Sequence, residues 1–330
     1  MKLIKTTLAT GIAAALALGV AGQANASVYA SSSLKIQEFK VNITGLAQNP
    51  IDSYEFTLTT TATLNGASSP VQTNTCSGTT PGSGCNTLPS LDASAANAPG
   101  GTIVRANNDF SFFGPGANTY SNSDSVIYTS ELGNDVPSST AQIAESELQG
   151  NGAARANAEI TSNTGFTFTF IISGTGSLAL SFQADPSLYA EINQLAFTSG
   201  AAQANMNTSF SLTKNDGTSE INWRPNGSAG SDCSVTGSVA SVTCAEDNDN
   251  ADLNQNLSVT SNPATVQYSR AAGWSLMGIT VDGLTDGAWT LAFNGVTSTS
   301  VRTVPEPSVL ALLGIAIAGM GAVSRRRKLG

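Results

Sequence analysis

Apolar and polar residues alternate over much of the chain with a period of two, the spacing of a half-buried β-strand. Residues 34–36, 39–43 and 54–64 follow it, with Phe39, Val41 and Ile43 on one side and Lys40 and Asn42 on the other. In Phe166-Thr167-Phe168-Thr169-Phe170 three rings share one face and two threonines the other. Ser173-Gly174-Thr175-Gly176 then reads as a turn, and residues 178–182 as the returning arm of a hairpin. A second hairpin is predicted where residues 210–212 and 221–223 flank Asn215-Asp216-Gly217. A similar pair, 274–281 and 289–293, flanks Asp286-Gly287. Residues 141–149 fit a short helix or a polar connection, and residues 73–101, rich in Ser, Pro, Gly and Asn, a long excursion between strands. Many short strands separated by polar turns predict an all-β fold, an antiparallel β-sandwich of jelly-roll-like type. With no clean linker in view, residues 27–303 are read as one such domain, two smaller sandwiches being the alternative.

Two apolar runs depart from the alternation. At the amino end Lys2 and Lys5 precede an apolar run over 8–21, followed by Ala24-Asn25-Ala26. A cationic start, a short apolar core and a small-x-small cleavage site make residues 1–26 a secretory signal peptide, with Ala24 and Ala26 at the peptidase site. As a helix the run would be about 21 Å long, short of the ~30 Å hydrocarbon core. At the carboxyl end Val304-Pro305-Glu306-Pro307-Ser308 precedes an apolar run over 309–323 and the cations Arg325, Arg326, Arg327 and Lys328. The prolines disfavour helix in the residues before them, and Ser308 can cap a helix that starts at Val309. Such a helix is about 22 Å long, short for a permanent anchor, and its terminal cations favour the cytoplasmic side. The arrangement fits a removable tail that holds the chain in the bilayer beside a processing site.

The Pro305-Glu306-Pro307 triplet, the apolar helix and the arginine cluster, in that order at the chain end, resemble the PEP-CTERM sorting signal of Gram-negative bacteria. The resemblance is confined to residues 304–330. It implies export through the inner membrane, processing near Pro305 by the membrane enzyme exosortase, and residence at the cell surface or in extracellular matrix. It also implies exopolysaccharide as a partner, and contact with the membrane through the tail in transit.

Composition sharpens the reading of the body. The chain has no histidine, which excludes an imidazole base, a Ser-His-Asp triad and His-ligated metal. Ser (41) and Thr (37), with 32 Gly, supply the vocabulary of strands and turns. Residues 27–303 hold eight basic against 22 acidic residues, a formal charge of −14, which opposes nucleic-acid binding. In an exported chain the four cysteines are expected as local disulfides, Cys76 with Cys85 and Cys233 with Cys244. A Cys₄ zinc site lacks the close pair spacing it needs.

Asp247, Asp249 and Asp252 form the best calcium candidate, but the segment lacks the turn glycine of an EF-hand and has Ala251 at a ligand position. A solvated acidic loop is the favoured reading, and no cofactor is expected. Trp274 and Trp289 are expected in the core. Trp223, at a strand-to-loop junction, is the tryptophan best placed to stack on sugar, although core packing is favoured there too. Gly174-x-Gly176-x-x-Ala179 matches a dinucleotide fingerprint only superficially, because strand rather than helix follows it. No pair of carboxylates stands out for glycoside hydrolysis. The sequence therefore predicts a non-enzymatic structural or adhesive protein of matrix, biofilm or flocs. A carbohydrate- or calcium-binding module is the second reading and a carboxylate-based polysaccharide hydrolase the third.

Overall fold

The computed structural model describes residues 26–79, 90–116, 118–128, 139–150, 156–193, 198–226, 233–246, 251–260, 263–269 and 274–305. All regular structure among them is β. In chain order the strands are β1 (Ala26–Leu64), β2 (Ala67–Ser68), β3 (Gln72–Gly78), β4 (Ser90–Asp92), β5 (Ala96–Asn97), β6 (Tyr120–Tyr128), β7 (Ser139–Gly150) and β8 (Ala156–Asn193). They continue with β9 (Thr198–Lys214), β10 (Glu220–Trp223), β11 (Cys233–Thr236), β12 (Ser241–Glu246), β13 (Asn256–Val259), β14 (Ala264–Ser269) and β15 (Ser275–Pro305). All pair antiparallel in one connected sheet of order β11-β10-β9-β15-β8-β1-β7-β6-β4.

Three of these strands, β1, β8 and β15, are very long, and each turns a corner. The β1–β8 register shifts between Thr44 and Ser53, and the β15–β8 register shifts between Asp282 and Gly287, at the same level of the sheet. Glycine makes the bend feasible there: Gly45, Gly174 and Gly283 have positive φ, and a Cβ on Gly45 would lie 2.5 Å from the Thr175 carbonyl oxygen. Bends or bulges of this kind let strands pass from one layer of a sandwich to the other. One layer holds β1 before Thr44, β8 after Gly176, and the start of β15, flanked by β7, β6, β12 and β14. The other holds the remaining halves of the long strands with β3, β9, β10, β11 and β13.

The layers meet through an aromatic cluster near the corner. Phe39 packs edge-on against Phe166 at 5.1 Å, and Phe182 stacks on Phe210 at 5.2 Å. Phe210 also touches Trp223 (5.0 Å) and Phe293 (4.9 Å). Farther from the corner the interior turns small and hydroxylated. Ser32 donates to the Asn205 carbonyl at 2.7 Å, and the Ser146 and Thr299 hydroxyls pair at 2.9 Å. Part of the hydroxyl wealth of the sequence is thus internal mortar between layers.

Several readings need correction. Residues 166–170 and 178–182 are successive parts of β8, because both segments keep β1 on one edge and β15 on the other through the bend. The segments around Asp286-Gly287 are likewise one strand, β15. Residues 141–149 belong to β7, and the 73–101 excursion contains β3, β4 and β5. The turn at Asn215-Asp216-Gly217 does reverse the chain, pairing Thr213 with Glu220. There the Asp216 carboxyl accepts from the Thr218 amide (3.0 Å) and hydroxyl (2.6 Å), which holds it down at about 2.

Candidate functional site

Two places in the fold carry chemistry: the pole where β1 begins and β15 ends, and a buried ionic cluster on the outer face of β6 and β7.

At the pole, Ser27 pairs with Asn193 and Gln149 at the start of β1, while Val304 and Pro305 pair with Ser199 and Thr198 at the end of β15. Gly200 lies between the two termini. A Cβ there would meet Val28 Cγ2 at 2.8 Å and the Arg302 carbonyl oxygen at 3.1 Å. The residue that follows the expected signal-peptidase site and the first residues of the sorting motif therefore leave the sandwich at one end. β15 is zipped to both neighbours through Thr303, which faces Gly200 and Ala156. Val304 and Pro305 continue the pairing with β9.

The ionic cluster was missed in the sequence. Register sets Tyr120 opposite Glu147, Asn122 opposite Glu145, and Glu147 beside Tyr29, so these side chains share one face of β6, β7 and β1. The segment 98–116 crosses that face and drops Arg105 into it. The Arg105–Glu145 ion pair measures 2.5 Å with both side chains fully buried. Arg105 also donates Nε–H to Asn122 Oδ1 (2.9 Å) and Nη1–H to the carbonyls of Asp109 (2.5 Å) and Ser111 (2.9 Å). Its guanidinium lies 4.4 Å from the centre of the Phe113 ring. Glu145 accepts further from the Tyr29 hydroxyl (2.6 Å) and the amides of Phe113 (3.2 Å) and Gly114 (2.9 Å). Both charges are thus paired and saturated, the condition under which a buried ion pair is tolerated.

Two neighbouring acids sit less easily. Burial pushes Glu147 up to about 7, and nearby Glu145 adds to this, while hydrogen bonds from the Gly116 amide pull the other way. Burial likewise raises Asp124 to about 6, against amide bonds from Asn108 (2.6 Å) and Ser125 (2.8 Å). Burial and Glu145 also raise the Tyr29 and Tyr120 phenols well above their ordinary range. The donors and acceptors all come from the covering segment and the strands beneath, so the cluster fastens one to the other. One sequence signal could have exposed it: Arg105 is the only basic residue between Lys40 and Arg155.

The remaining predicted site residues are dispersed. Trp223 and Trp289 are fully buried, Trp289 donating Nε1–H to the Thr285 carbonyl (2.9 Å). The expectation for Trp274 is reversed: it is 36% exposed, beside exposed Leu276, because it precedes the first rung of β15. Asp252 uses its carboxylate to brace its own turn, accepting from the Asn254 amide and the Gln255 side chain, each at 2.6 Å. Asp247 and Asp249 lie outside the described residues, and among those described no group of three metal-binding side chains assembles. Cys76 and Cys233 are disulfide-bonded; the expected partners Cys85 and the Cys244 side chain lie outside the described residues. So do Ala24, the Ala26 side chain, and Glu306, Pro307, Ser308, Arg325, Arg326, Arg327 and Lys328. No described helix is long and apolar enough to cross a membrane.

Comparison with known proteins assigns the carboxyl end. Residues 303–328 match the PEP-CTERM protein-sorting motif. The all-β body is therefore joined to the tail of an exported, exosortase-processed protein of Gram-negative type, destined for the cell surface. No curated protein matches the chain. Matching solved structures include the infectious bursal disease virus VP2 subviral particle, at 12% identity over 94% of this chain and 90% of that one, with a TM-score of 0.08. T=1 particles derived from the same virus match at 12% identity over 87% and 80%, with a TM-score of 0.09. Likeness at that level carries no argument about this chain.

Proposed function

We propose that the protein is a non-enzymatic structural component of the extracellular matrix, delivered to the surface by its tail and associating there with exopolysaccharide. The observation that carries this reading is the sorting motif spliced directly onto a central strand of the body. The polar, strongly acidic, hydroxyl-rich body suits a hydrated matrix partner. In this reading Cys76–Cys85 and Cys233–Cys244 staple loops against the oxidising exterior, each contributing about 2–3 kcal/mol, and the body needs no cofactor.

The test is deletion of residues 305–330. The truncated chain should disappear from the surface and matrix fractions, and purified mature body should bind the producer's own polysaccharide. Unchanged surface delivery would refute the sorting role. Release of sugar from that polymer would replace the structural reading with a hydrolase.

A further inference from the structure

We infer that a file of bound water runs through the interior of the sandwich, held between the two layers by Gln142, Thr164, Thr208 and Thr297 around Gly295.

Register builds the walls. Gly295 on β15 is paired with Thr164 on β8 and with Thr208 on β9, so the two threonines flank it on one face. Thr297, two residues along β15, shares that face. Gln142 reaches over from the opposite layer: a Cβ on Gly295 would lie 3.2 Å from its Nε2. Glycine thus leaves the floor open beneath the amide. Beside Gln142 stands Ser125 of β6, its partner in the ladder. Farther along the same two strands the Ser146 and Thr299 hydroxyls bond directly, which fixes the spacing of the layers. Thr164 also borders a small cavity shared with Phe39, Phe166 and Phe293, so the open space extends toward the aromatic cluster.

The chemistry of the lining names the occupant. Gln142, Ser125, Thr164, Thr208 and Thr297 are each at most 1% exposed. The Gln142 Oε1 and Nε2 and the four hydroxyls nevertheless have no hydrogen-bond partner among the described residues. An unsatisfied buried donor or acceptor costs as much as a lost hydrogen bond or more, and six in one seam would rival the net stability of a typical domain. Their partner has to be small, uncharged, and able to donate and accept at once. Water meets all three conditions. A cation does not: none of these side chains carries negative charge to offset it, and the Nε2–H of Gln142 repels it. Part of the serine and threonine content of the strands therefore serves an internal solvent rather than an external one.

The test has two parts, both on the secreted protein. In a crystal structure fine enough to place solvent, at least two waters should stand within about 3.2 Å of the Gln142 amide and the threonine hydroxyls. Direct hydrogen bonds among these side chains, with no water between them, would overturn the inference. So would a peak ringed by oxygens at about 2.4 Å, which is a cation. Thermal unfolding supplies the second part. Thr164 and Thr208 lie two strand spacings apart, about 10 Å, too far to touch. Thr164→Val and Thr208→Val should each lower the melting temperature by about 2–4 °C, because each strips a partner from the water. The double variant should fall by less than the two shifts added, since the first substitution already breaks the file. Rising melting temperatures would mean that the hydroxyls sit dry and unpaired, and strictly additive falls that no water links them. Either result overturns the inference.

Discussion

Arg105 shows what one cation can organise inside an acidic body. It is fully buried, paired with Glu145, and bonded to two carbonyls of the segment that covers it. Arg105→Ala should leave Glu145 buried without its counter-charge and cost about 3–5 kcal/mol, read by denaturant unfolding. The acids beside it set a pH dependence. Glu147 at about 7 and Asp124 at about 6 are raised above their unfolded values, so the native state holds protons that the unfolded chain has already released. Their contribution to stability is present below the unfolded carboxylate range and is lost as pH rises through 6 to 7. The melting temperature should therefore fall between pH 5 and pH 8, and Glu147→Gln should flatten that slope. A melting temperature that rises over the interval would contradict the assignment.

At the scale of elements, the aromatic cluster and the corner share the task of joining layers. Phe210 touches rings from both, so Phe210→Ala should cost about 3–5 kcal/mol, whereas Phe112→Ala, on an exposed side chain, should change stability by less than about 0.5 kcal/mol. A Cβ on Gly176 would run into the Thr44 carbonyl, and Gly176→Ala should lower stability by about 1–3 kcal/mol by the same measurement. These positions also mark what was legible in the sequence. Alternation at 54–64 and 166–170 gave strands with the correct inward face, since Tyr54, Phe56, Leu58, Phe166, Phe168 and Phe170 are all buried. Asn215-Asp216-Gly217 gave a true reversal, because a tight turn is encoded locally. Gly174, Gly176 and Gly287 looked the same but bend strands that continue, and only neighbouring strands distinguish a corner from a hairpin. β7 was obscure for a related reason. Both of its faces are buried and both carry polar residues, Glu145 and Glu147 on the outer and Gln142 and Ser146 on the inner, so its burial left no apolar alternation to read.

For the whole molecule, the sorting tail was legible because its function is read from the linear chain, while the pairing of its first residues with β9 needed the register of β15. Intact-mass measurement of the secreted protein should show a body beginning at Ser27 and ending near Pro305, four hydrogens lighter than its reduced form. A product retaining residues 306–330, or one with free thiols, would contradict the processing or the disulfide assignment. The order of the central strands has a further consequence. β8 lies between the first strand and the last, separated from each by long stretches of sequence, and loop closure over such distances slows folding. β1 and β8 can pair with each other before residues 275–305 exist, but β8 and β9 share no neighbour until then. A chain cut short of β15 is therefore expected to leave an edge of each open to pairing with another molecule, and so to aggregate.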